Sequence, residues 1–256
     1  VTRFPLQPFA SSYPANASPA LGFLAALFAL VPVMMIPMIL VQFMLQEKCY
    51  NLIEGLRMMG LKYSKYYLSW LIVYLPLFMF SAAIQTVVMR LINVYPLSDY
   101  FLVFLSISFA GVTMLTWTFL IVASAKSDAN DPEQAKQGTQ GLMFLVTMLG
   151  IGAYAGLHFA GASAAARTAC CLIGYVAAMQ SLVTFYDKEI NGEGLGWAQL
   201  AEGTESGPSL LGCWGFFLLD GLLYMWLATS RSRQAARRVA MPKDNEAVTA
   251  PLLGGG

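Results

Sequence analysis

The sequence predicts an all-α membrane protein with five transmembrane helices, a cytosolic amphipathic helix after the first span and a helical hairpin in the outer leaflet. Three observations carry that prediction. The 256 residues are 57% hydrophobic and only 11% charged, with a mean hydropathy of +0.60, whereas soluble domains carry about 25% charged residues. Several charge-free runs reach the ~20 residues that a helix needs to cross a bilayer. The basic residues, finally, gather on alternate sides of those runs, as cytoplasmic Lys and Arg do.

Val1–Pro19 is a polar, proline-rich lead-in expected outside the cytosol. It has no compact apolar core followed by a cleavage site, so it does not read as a signal peptide. Asn16-Ala17-Ser18 is a glycosylation sequon close to the first span. Ala20–Gln46 is 27 residues without a charge, about 40 Å as a helix, with Pro32 and Pro37 expected to kink it. Tyr66–Met89 is the second span, closed by Arg90, which is expected to snorkel to the outer headgroups. Tyr100–Ala125 is the third, and Gly138–Leu157 the fourth, with a small-residue pattern at Gly152 and Gly156 that allows close helix approach. Pro208–Ser230 is the last span. The polar loop Lys126–Gln137 must lie in water, and 231–256 reads as a basic anchor followed by a flexible cytosolic tail.

Thr168–Tyr186 is 19 residues without charge, just long enough to span. Counting Lys and Arg resolves it. If this run does not cross, eleven basic residues fall on one side (Lys48 to Lys243) and four on the other (Arg3, Arg90, Arg167, Lys188). If it does cross, the split becomes seven against eight and the bias disappears. The run is therefore expected to enter the outer leaflet and turn back, making a hairpin over 168–207. The N-terminus is then non-cytosolic and the C-terminus cytosolic.

Between the first two spans lies Glu47–Gly60. At 100° per residue Cys49, Leu52, Ile53, Leu56 and Met59 share one face, while Glu47, Asn51 and Glu54 share the opposite one. Glu54 and Arg57 are spaced to pair at i,i+3, and Gly60 fits a helix stop. Such a helix either rests on the headgroups or is gripped by a cytosolic partner, and the wheel alone fits both.

Other chemistry is sparse. The net charge of +1 argues against a nucleic-acid partner. The four cysteines lack a CxxC or Cys/His pairing, and His158 stands alone, so neither a metal site nor a disulfide framework is implied. No catalytic arrangement is readable. Asp220, mid-span, is a functional candidate by its position, with a structural hydrogen bond to a neighbouring helix as the favoured role.

Glu47-Lys48, then Glu54-Gly55-Leu56-Arg57-Met58-Met59-Gly60-Leu61 and Tyr67-Leu68-Ser69-Trp70, resemble the signature between the second and third transmembrane helices of the A subfamily of ABC transporters. Ser124-Ala125-Lys126, Gly194-Leu195-Gly196-Trp197 and Leu219-Asp220 with Tyr224 extend the resemblance in order, over about Ala20–Ser230. Cys49 departs from it, standing where the family usually has an acid. The resemblance implies that Glu47, Lys48, Glu54, Arg57, Met58, Met59 and Gly60 belong to a coupling helix, and Gly194, Gly196 and Trp197 to the outer hairpin. It implies an ABC-2 type transmembrane domain over 20–230 that moves lipids or related amphiphiles. Its expected partners are a nucleotide-binding domain, a second transmembrane half and membrane lipids. ATP and magnesium are expected only in that nucleotide-binding domain, because this chain carries neither a GxxxxGK[ST] nor an LSGGQ-type motif. By itself the chain is then no enzyme. It reads as a fragment whose lead-in is the tail of an extracellular domain. The alternative is an independent multi-pass scaffold or channel-like protein without ATP coupling.

Overall fold

A computed structural model describes residues 19–125, 132–203 and 207–240. The Asn16 sequon, most of the lead-in, 126–131 of the polar loop and the tail from 241 lie outside them. The described residues fold as α-helices with short connections. These are α1 (Pro19–Cys49), α2 (Leu52–Met58), α3 (Tyr63–Leu91), α4 (Tyr100–Ser124), α5 (Pro132–Phe159), α6 (Ala164–Cys170), α7 (Gly174–Ile190) and α8 (Leu210–Ala240), with a 3-10 turn at Trp197–Gln199. Five of them, α1, α3, α4, α5 and α8, are long and apolar enough to cross a membrane.

α4 is the post around which the others stand. It is by far the most buried of the five, and it packs on α8, α1, α3 and α7. α5 leans on α1 and α7 instead. The proline positions stay within continuous helix, at Pro32 and Pro37 in α1 and Pro76 in α3. In the turn that Pro32 perturbs, the Ala29 carbonyl accepts a hydrogen bond from Gln85 Nε2 of α3. That bond ties α1 to α3 beside the kink-prone turn, one residue along from the Phe28 carbonyl that Pro32 leaves without its helical donor.

Two sequence expectations change. Thr168–Tyr186 is not one helix; it breaks at Cys171–Ile173 into α6 and α7. α7 then starts at a close contact, where a β-carbon on Gly174 would lie 2.6 Å from Thr113 Cγ2 of α4. Gly152 and Gly156 face open space, so they mediate no close approach within the described residues. Arg90 lies over the Tyr100 ring, 5.6 Å from its centroid, a cation–π contact that holds the α3–α4 turn.

The glycine that does permit a close approach is Gly111 of α4. A β-carbon there would fall inside the Phe78 ring of α3. Gly111→Val is expected to lower stability by about 1–3 kcal/mol through overpacking. Gly152→Val, facing open space, is expected to change little. Thermal melts of the two variants in one detergent measure the difference.

Candidate functional site

The α1–α2–α3 junction is built from the ends of three helices. α1 continues through Glu47, Lys48 and Cys49 before the chain turns at Asn51, whose φ of 55° is left-handed. Asn adopts that conformation more readily than other non-glycine residues. α2 then runs only from Leu52 to Met58. It ends where Gly60, at φ +90°, donates its N–H to Arg57 O at 2.8 Å and Leu61 donates to Leu56 O at 3.1 Å. These two bonds are the paired closures of a Schellman motif, which requires a residue like glycine at the left-handed position.

The Asn51 break resets the helical phase, and this corrects the continuous wheel over Glu47–Gly60. Leu52 and Met59, expected on the apolar face, do not pack on the bundle, and Met58 is 86% exposed. Ile53 and Leu56 are the pair that packs on the core. Glu47, expected on the outward polar face, accepts a hydrogen bond from Tyr66 OH of α3 at 2.6 Å. Glu54 does pair with Arg57, at 3.3 Å, and also accepts from Tyr63 OH at 3.4 Å.

Lys48 makes the longest reach. Its Nζ donates to Val122 O at 2.8 Å, Ala125 O at 2.6 Å and Ala123 O at 3.4 Å. An ammonium has three donors, and the last carbonyls of a helix have no partners of their own and carry the negative end of its dipole. Lys48 therefore fastens the end of α1 to the end of α4. Beside it, Tyr67 OH shares a 2.7 Å hydrogen bond with Ser232 Oγ, which joins α3 to α8. α2 thus hangs from a junction connected to α1, α3 and α4, with α8 one contact further on.

The opposite end of the bundle has its own lock. Glu189 of α7 is fully buried. It accepts N–H bonds from Leu97 at 2.9 and 3.1 Å and from Ser98 at 2.6 Å, in the α3–α4 turn. Ser98 Oγ accepts from Leu195 N at 3.0 Å, and Leu195 O accepts from Asp99 N at 3.0 Å. Asp99 caps α4 through Phe101 N at 2.9 Å and also accepts from Trp197 Nε1 at 2.9 Å. Gly194, at φ +64°, has no room for a β-carbon against the Leu97 carbonyl. The 194–197 segment singled out in the sequence is therefore the strap that ties the loop after α7 to the start of α4. Gly196 N–H closes the 3-10 turn on Gln199 Oε1 at 3.2 Å. Lys188 pairs with Glu193 at 2.7 Å and Glu202 at 3.3 Å. The hydrogen bond to Glu193 holds its amine above the ordinary lysine range. That contribution is complete at neutral pH and fades only as pH rises through the raised value.

Glu189 escaped the sequence reading because it sits in a run of charges, Asp187-Lys188-Glu189, that reads as a solvated loop. Its signal was positional: α7 keeps helical phase through Ile190, which brings Glu189 under the α3–α4 turn.

Asp220 of α8 is fully buried, and neither carboxyl oxygen has a hydrogen-bond partner among the described residues. The expected interhelical hydrogen bond is therefore replaced by a different arrangement. Its Oδ2 would lie 3.7 Å from a β-carbon on Gly174, the first residue of α7. The carboxyl thus faces the positive end of the α7 dipole. One turn along, Tyr224 OH accepts the Gly174 N–H at 3.4 Å.

Two comparisons with known proteins bear on this architecture. The family model for ABC-2 family transporter proteins matches residues 2–229. The chain belongs to the ABC-2 transporter family. It is a multi-pass integral membrane permease domain, a component that is not itself catalytic. It is also 29% identical over 185 residues, 72% of its length, to ATP-binding cassette sub-family A member 7 of Mus musculus. It spans only 8% of that relative's length.

The Glu189 lock of this ABC-2 domain gives a direct test. Removing an acceptor from two buried N–H groups costs about 1–3 kcal/mol. Glu189→Ala is expected to accelerate amide hydrogen exchange at Leu97 and Ser98 and to lower the melting temperature. Glu202→Gln, at an exposed partner of Lys188, is expected to stay within about 0.5 kcal/mol of the parent chain.

Proposed function

We propose that the chain is the permease part of an ATP-driven transporter that moves lipids or related amphiphiles between leaflets, with α2 as its coupling helix. ABC-2 permease domains pair with nucleotide-binding domains, and a second transmembrane half would complete the pathway. ATP and magnesium would act in the nucleotide-binding domain alone. The observation that carries this reading is the pairing of an exposed apolar tip, Met58 and Met59, with a base that Lys48 and Glu47 tie into α4 and α3. Flexible methionines suit a contact that must re-form at each cycle. A push on the tip cannot be absorbed locally, because the seven-residue helix is closed at both ends by the Asn51 and Gly60 turns.

On this reading the α2 end faces the cytosol, since Lys48, Arg57, Lys62, Lys65, Lys136, Arg231 and Arg233 all lie toward it. The hairpin of α6, α7 and the 194–197 strap then lies in the outer leaflet. Gly194, Gly196 and Trp197 serve there to anchor it, and Glu54 and Arg57 serve to shape the α2 face.

The test uses the transporter assembled with its nucleotide-binding domain. Met58→Asp with Met59→Asp is expected to cut lipid-stimulated ATP hydrolysis and lipid movement about tenfold, as loss of a contact hot spot does. The melting temperature of the membrane domain is expected to hold, since both side chains are exposed. Unchanged activity in the double variant would contradict the coupling role.

A further inference from the structure

A cleft of about 550 Å³ opens between α4, α5 and α8 near the α2 end of the bundle. It exists because α5 leans on α1 and α7 and stands away from α4. Leu120, Leu142 and Val146 wall it, Trp117 floors it, and Gln134 and Arg231 stand at its rim. From Trp117 to Ala125 along α4 is about 12 Å, and from Gln134 to Val146 along α5 about 18 Å. One leaflet of a ~30 Å hydrocarbon core has the same depth. The walls offer a tail-shaped apolar surface with one cation at headgroup height.

Arg231 is exposed and makes no ion pair among the described residues. The one acid on the nearby turn of α5, Glu133, is held by Lys136 at 2.7 Å. A guanidinium presents a planar fork of donors that matches a phosphate bidentately. Charge and shape therefore agree on one occupant. We propose that this cleft is a binding site for an anionic phospholipid of the leaflet on the α2 side. One acyl chain lies against Leu120, Leu142 and Val146, and the phosphate lies on Arg231. The lipid is a resident of the fold and not its cargo, so the site stands apart from the identity or direction of anything transported. It fills the gap between α4 and α5 that no side chain fills among the described residues.

The experiment places p-benzoylphenylalanine at Leu142 in the full chain. The protein is reconstituted in phosphatidylcholine nanodiscs containing a minor fraction of phosphatidylserine, irradiated and analysed by mass spectrometry. Adducts are expected to contain phosphatidylserine about fivefold above its share of the bilayer, the preference one basic side chain gives at an anionic surface. Arg231→Gln, at an exposed position, is expected to abolish that enrichment while leaving lipid adducts in place. Val146→Trp, which crowds the wall beside Leu142, is expected to lower the phosphatidylserine enrichment. Adducts that mirror the bilayer composition would overturn the proposal, as would enrichment that survives Arg231→Gln. Cross-links from Leu142 to a second copy, or to residues 126–131 of the same chain, would also overturn it, since either would make protein the occupant.

Discussion

α4 is the most buried of the long helices, and each of its ends is held by side chains of the sign that its dipole prefers. At its C-terminus the Lys48 amine gathers three carbonyls. At its N-terminus Asp99 caps the first turn, and Glu189 takes the two N–H groups just before it. Acids at the start and a base at the end is the arrangement favoured by the helix macrodipole. The effect is larger where water is scarce, because a buried polar group left without its partner bears the full desolvation penalty.

This makes α4 the shared element between two features far apart along the sequence. The α2 junction is fixed to one end of it, and the 194–197 strap to the other. Glu47–Tyr66 and Tyr67–Ser232 spread the grip at the α2 end to α3 and α8. Asp220 sits between, its carboxyl turned to the start of α7 beside Thr113 of α4. The α2 junction is therefore joined to the bundle through defined contacts with α4 and α3.

The five long helices were readable in the sequence because the bilayer tolerates few charges, and runs such as Tyr100–Ala125 announce themselves by lacking any. The stop at Gly60 was readable for a local reason: its Schellman geometry needs a left-handed residue. What escaped was set by tertiary contact. Asn51 breaks the α1–α2 helix with neither glycine nor proline to mark it, and that one residue turned Leu52 and Met59 outward. Thr168–Tyr186 carries no charge and no strong breaker within its first turn, yet it divides at Cys171–Ile173, just before Gly174, where Thr113 across the interface leaves no room for a side chain. Glu189 and Lys48 looked like surface charges, but packing brought each to a helix end that lacked partners. The resemblance in the Glu47–Leu61 stretch left unseen which of its residues anchor and which protrude.

The central claim is that α2 moves the bundle through the Lys48 fastening on α4. It is tested most directly by Lys48→Met in the transporter assembled with its nucleotide-binding domain, with ATP hydrolysis and lipid movement measured on the same preparation. The account predicts that hydrolysis continues while lipid moved per ATP falls about tenfold, the factor corresponding to roughly 1.4 kcal/mol. An unchanged ratio of lipid moved to ATP hydrolysed, in a variant that folds and assembles normally, would contradict it.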